Sequence, residues 1–95
     1  MIEIMTFRLA PGTDRAAFLE ADRRVQTDFA YHQPGLLRRT TAWGSDGVWI
    51  VLDVWQTPDD ADACAARWGD DPATAGFMAL LDRESVRTER FATLD

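Results

Sequence analysis

The stretch Gly47-Val48-Trp49-Ile50-Val51-Leu52-Asp53-Val54-Trp55-Gln56 decides how the chain is read. It is β-branched and aromatic, follows the turn signal Ser45-Asp46-Gly47 and predicts a central strand. Side chains alternate across a strand, so Val48, Ile50, Leu52 and Val54 share one wholly apolar face. Trp49, Val51, Asp53 and Trp55 share the other. A strand with one solvated face sets polar residues opposite its apolar row. Here two tryptophans and a single carboxylate stand there. Both faces are therefore expected to be covered, and the cover over the second is expected to enclose a lined cavity that tolerates a charge.

Outward from this strand, residues 2–9 predict a first strand, with Met5, Phe7 and Leu9 on one face and Ile2, Ile4, Thr6 and Arg8 on the other. Pro11-Gly12 ends it, and Thr13 or Asp14 can cap a helix running to about Tyr31. Phe18, Ala21, Val25 and Phe29 form that helix's apolar stripe. Gln33-Pro34-Gly35 stops it. Residues 36–43 predict a second strand, joined to the third as a hairpin through the Gly44–Gly47 turn. Thr57-Pro58-Asp59-Asp60 starts another helix: a threonine cap, proline at the first helical position and acids in the first turn. Ala61, Cys64, Ala65 and Trp68 give it an i, i+3, i+4, i+7 stripe. Gly69 ends it, Asp71-Pro72 opens a short helix carrying Phe77, Leu80 and Leu81, and Ser85–Phe91 alternates like a last strand.

The order β-α-β-β-α-β, with its second helix broken, predicts an α+β fold of ferredoxin-like type: a four-stranded antiparallel sheet with the helices on one face. Helices on one face leave the other bare, although the third strand is apolar on both. A second copy of the chain is the simplest cover. The expected assembly is a homodimer, a dimeric α/β barrel whose two sheets face each other across a shared interior.

Composition narrows the partners. The chain has 95 residues and is expected to be one domain over 1–95. Its net charge is −6, with arginine but no lysine, which argues against nucleic acid or an anionic membrane as partner. No apolar run approaches the roughly 20 residues of a membrane span. Met1-Ile2-Glu3-Ile4 lacks the basic start of a signal peptide, so a cytoplasmic location is expected. One cysteine, Cys64, and one histidine, His32, supply neither a disulfide nor a metal cluster. Cys64 reads as a small buried apolar side chain.

Several motifs carry a family resemblance: Phe7-Arg8-Leu9-Ala10-Pro11-Gly12 before the first helix, Gln33-Pro34-Gly35-Leu36-Leu37 entering the second strand, Asp46-Gly47-Val48-Trp49-Ile50, and Val54-Trp55-Gln56-Thr57 before the second helix. In order and spacing the chain resembles the antibiotic biosynthesis monooxygenase-like proteins of the dimeric α/β-barrel superfamily. The resemblance implies a homodimer with a small-molecule ligand. It also implies a family that includes cofactor-independent oxygenases of aromatic polyketides and haem-degrading enzymes. The haem-degrading branch has an asparagine on its first strand and a histidine near its second helix. Here Thr6 stands on that strand, and Ala65-Ala66-Arg67-Trp68 holds no histidine, which argues against haem chemistry. The histidine that the oxygenase branch often carries after its tryptophan motif is absent too.

Among candidate site residues Asp53 stands first, since a buried carboxylate must find a partner or raise its pKa. Arg8 could pair with it from the cavity side; Arg38, Arg39, Arg87 and Arg90 compete. Such a pair fixes register or dimer geometry. Alternatively Asp53 acts as a general base toward a phenol or enol, with an arginine steadying the oxyanion. Trp49 and Trp55 flank it, either as walls for an aromatic ligand or as interface residues. Tyr31 and His32 could form the cavity mouth, although His32 equally suits a helix cap or an exposed loop. Asp22 and Gln26 suggest a hydrogen bond toward an arginine. The catalytic set expected is thus Asp53, Arg8 and His32, with Trp49, Trp55, Thr6, Arg39 and Tyr31 as ligand contacts and neither cofactor nor metal. Two functions follow: a cofactor-independent monooxygenase of an aromatic or polyketide-like metabolite, or a non-catalytic metabolite-binding or scaffold module of the same fold.

Overall fold

Residues 1–94 are described by the computed structural model, and they follow the expected βαββαβ succession. Strand β1 covers Ile2–Leu9, β2 Leu36–Trp43, β3 Trp49–Trp55 and β4 Leu81–Phe91. All pairings are antiparallel, in the order β2-β3-β1-β4, so β3, the predicted central strand, lies in the middle beside β1. The β2–β3 hairpin turns at Gly47, whose φ of +84° is a left-handed conformation that glycine enters without penalty. Strand β4 begins at Leu81, earlier than its alternation suggests, because buried Leu81 pairs with Leu9 across β1.

Helix α1 covers Arg15–Arg24; its path continues to His32 through a π-helical turn, Val25–Phe29, and a 3₁₀ turn, Ala30–His32. Helix α2 covers Pro58–Trp68, and Thr57 Oγ1 accepts from the Asp60 N–H at 3.2 Å as its cap. Helix α3 covers Pro72–Met78, capped by Asp71 Oδ1, which accepts from the Ala73 N–H at 2.8 Å. Asp14 stands at the α1 N-cap without a side-chain bond.

The helices cover the face of the sheet that carries Trp49, Val51, Asp53 and Trp55. The expectation that this face lines an interior shared between two copies is therefore corrected. The reason is aromatic packing. Trp49 meets Phe18 of α1 with ring centroids 4.7 Å apart, and Phe7, Phe18 and Phe77 close around it. Trp55, 3% exposed, packs with Phe29, Ala30, Ala61 and Cys64. The row Ile50, Leu52, Val54, with Ile2, Ile4 and Thr6 of β1 beside it, lies on the opposite face and is only partly buried. Val48 lies one residue outside β3.

Candidate functional site

The sheet–helix layer is not filled evenly. At the Trp49 end, large rings from α1, α3, β1 and β3 plug it. At the Trp55 end, α2 presents Ala61, Cys64 and Ala65, whose small side chains leave space above the strands. The result is a cavity of about 400 Å³, within the usual range for small-molecule sites. Its walls are mainly apolar: Met5, Val51, Trp55, Trp68, Met78 and Val86, together with the small residues of α2.

Four charged side chains cross its floor on a single rung of the sheet. The register sets Arg39 of β2 beside Asp53 of β3, Asp53 beside Glu3 of β1, and Glu3 beside Arg90 of β4. Both arginines are already held. Arg39, 5% exposed, donates from Nη2 to Asp22 Oδ1 at 2.8 Å and from Nη1 to Gln26 Oε1 at 3.1 Å. Thr41 Oγ1 also donates to Asp22 Oδ1, at 2.8 Å. Asp22 on α1 and Gln26 in the π-helical turn that follows thus reach an arginine, as their spacing suggests. Arg90 donates from Nε to Glu3 Oε2 and from Nη1 to Asp62 Oδ1, both at 2.7 Å.

Asp53 is left without such a partner. Among the described residues its Oδ1 is buried with no hydrogen bond, and so is Trp55 Nε1 on the same strand face. Burial pushes the Asp53 carboxyl up to about 6; Arg39 opposes that rise, while Glu3 and Asp22 add to it. At neutral pH Asp53 is therefore mostly ionised, with a proton affinity suited to exchange. Burial likewise pushes the Cys64 thiol up to about 11, so it stays protonated and unreactive.

Of the expected site residues, the fold brings together Asp53, Trp55 and Arg39. The others lie elsewhere. Arg8 is exposed on the opposite sheet face, donating to Asp46 O at 2.8 Å, because buried Phe7 takes the inward position next to it. It cannot pair with Asp53. Thr6 shares that outer face, in a shallow pocket of about 140 Å³ with Ile4, Arg87, Glu89 and Phe91. Trp49 belongs to the aromatic plug and does not line the cavity. Tyr31 is half exposed; its hydroxyl accepts from Arg39 N at 3.1 Å and donates to Arg39 O at 3.3 Å, standing in for a strand partner on the free edge of β2. His32 is exposed, its Nε2 3.0 Å from Thr27 O, which suits the helix-end reading. The residues missed are Glu3, Trp68 and Thr88. Glu3 shares parity with Met5 and Phe7, a signal that places it on the inner face.

No protein-family model matches the chain, and no curated protein matches it by sequence. Solved structures do match in shape. SnoaB, a cofactor-independent oxygenase from Streptomyces nogalater, superposes with a TM-score of 0.79 at 21% identity, covering 99% of this chain and 92% of that one. A Caulobacter crescentus protein provisionally named an antibiotic biosynthesis monooxygenase gives 0.80 at 16% identity, covering 99% and 89%. Another antibiotic biosynthesis monooxygenase gives 0.70 at 12%, covering 98% and 100%. The chain has the ferredoxin-like α+β fold of the antibiotic biosynthesis monooxygenase structures.

Proposed function

We propose that the chain, as one domain over residues 1–95, is a homodimeric small-molecule-binding protein. We further propose that it acts as a cofactor-independent monooxygenase on an aromatic or polyketide-like metabolite. One observation carries this reading: an apolar cavity of about 400 Å³ is lined by the indole of Trp55 and by Asp53, whose carboxylate has no hydrogen bond or ion pair among the described residues. Buried polar groups in folded proteins are almost always satisfied, so an unpaired carboxylate beside an apolar space asks for a ligand that satisfies it. The carboxylate takes the proton of a phenol or enol. Dioxygen is the oxidant: at a ring methylene one of its atoms becomes the new carbonyl oxygen and the other leaves as water.

The pairing of copies rests on the other sheet face. Ile2, Ile4, Ile50, Leu52 and Val54 form a partly exposed apolar surface with no helix over it. An extended apolar patch of that kind suits a second copy of the same surface.

A non-catalytic metabolite-binding module is the second reading, favoured by the arginines. Arg39 and Arg90 are committed to acids, which leaves no free cation among the described residues that line the cavity to hold an oxyanion. The test is oxygen uptake with a hydroxyanthrone, measured above the rate in buffer. The monooxygenase reading expects one O₂ consumed per substrate by the wild type and none above buffer by a folded Asp53→Asn variant. Undiminished uptake in the variant removes Asp53 from the mechanism. Ligand binding without uptake by the wild type establishes the non-catalytic reading instead.

A further inference from the structure

We propose that the cavity selects an aromatic amine, its protonated nitrogen held by Asp53 and its ring on the tryptophans. The inference rests on the reading of this cavity as the ligand site and makes Asp53 the counter-ion of the ligand rather than a base, in keeping with the non-catalytic reading.

The argument is electrostatic and geometric. On the cavity floor stand two carboxylates, of Glu3 and Asp53, and two guanidinium groups, of Arg39 and Arg90, while Asp22 and Asp62 engage the two arginines from outside the lining. Asp22 takes Arg39, and Arg90 is shared by Glu3 and Asp62. Asp53 remains, between Arg39 of β2, whose guanidinium is bonded to Asp22 and Gln26, and Glu3 of β1, with which it sets two like charges across a pair that favours opposite ones. A ligand carboxylate entering here would add a third negative group to the lining, whose two arginines, Arg39 and Arg90, are already paired. A neutral ligand would leave the Asp53–Glu3 repulsion in place. An ammonium group supplies three donors and a positive charge to the Asp53 carboxylate, which lines the cavity with no hydrogen bond or ion pair among the described residues.

The walls agree with a flat cationic ligand. Trp55 and Trp68 both line the space, and indole faces are the best of the aromatic surfaces for a cation. Met5 and Met78 complete a polarisable surround. Charge thus sets the class of ligand, and the aromatic walls suit its ring.

The experiment uses three probes of equal ring size, 1-naphthylmethylamine, 1-naphthylmethanol and 1-naphthoate, titrated calorimetrically into the full chain at pH 7.5. The amine is expected to bind at least ten-fold tighter than the alcohol, with naphthoate weakest. In Asp53→Asn, checked for folding by circular dichroism, the preference for the amine over the alcohol is expected to disappear while the alcohol's own affinity persists. An alcohol that binds as tightly as the amine overturns the amine assignment and leaves the cavity standing as a ligand site. An amine preference that survives Asp53→Asn also overturns it, by placing the cation elsewhere. Failure of all three probes overturns the inference together with the cavity reading beneath it.

Discussion

Replacing Asp53 by asparagine is expected to stabilise the protein at neutral pH and to leave its stability nearly unchanged in acid. The folded-state pKa of this carboxyl is about 6 against an ordinary 3.8, and burial is the leading cause. Below pH 3.8 the group is protonated in folded and unfolded chains alike and contributes nothing. Between 3.8 and 6 the unfolded chain gives up the proton first, so stability falls as pH rises. Above 6 the whole penalty is present, and a shift of roughly two pH units corresponds to about 3 kcal/mol. Asparagine keeps the shape and cannot ionise. Urea unfolding of both proteins at equal concentration from pH 4 to 8 checks this. The difference in stability should grow in the variant's favour by about 2–3 kcal/mol between pH 4 and 7 and then level off. Titrating groups that do not interact with Asp53 cancel in that difference. A difference that stays flat, or that turns against the variant as pH rises, would refute the reasoning and mean that Asp53 has an ionic partner in the folded chain.

Four further outcomes are expected. Asp22→Asn strips the buried Arg39 guanidinium of its charge partner and should cost about 3–5 kcal/mol by denaturant unfolding, with strong coupling in a double-mutant cycle against Arg39→Gln. Tyr31→Phe removes both bonds to the Arg39 backbone and should cost about 1–2 kcal/mol in the same assay, without changing ligand affinity. Thr57→Ala should cost about 1 kcal/mol through its lost cap, whereas Asp14→Ala, whose side chain caps nothing, should cost far less. Leu52→Asp on the bare sheet face should turn a dimer into a monomer in sedimentation, with the cavity still able to bind ligand.

Much of the fold is legible in the sequence because period two and period 3.6 leave separate marks. The strands at 2–9 and 36–43 and the Thr57 cap fall where the pattern puts them. The two faces of β3 were also correctly divided. Which face the helices cover was not legible, because both rows are apolar. Phe18, Phe29 and Phe77 settle it by matching the tryptophan side, and they stand far from β3 in sequence. That one reversal moves the cavity from between two copies to inside one chain. The site residues that separate from Asp53 do so by strand register. Arg8 and Thr6 follow the parity of Ile4, whereas Glu3 follows that of Met5, and register then seats Glu3 beside Asp53. The stripe Ala61, Cys64, Ala65 was visible, yet small side chains make a cavity only when the opposing strand is known to lie beneath them.

The central claim is that a ligand sits under α2, between Asp53 and Trp55 of the same chain. Its most direct test is a ¹H–¹⁵N spectrum of the four tryptophan indole N–H groups during titration with 1-naphthol. The account predicts that the Trp55 and Trp68 resonances move together and saturate, while that of Trp43, 60% exposed beneath Arg15 at the far end of the hairpin, stays fixed. Movement of Trp43 with Trp55 and Trp68 unmoved would contradict it and place the ligand outside the cavity.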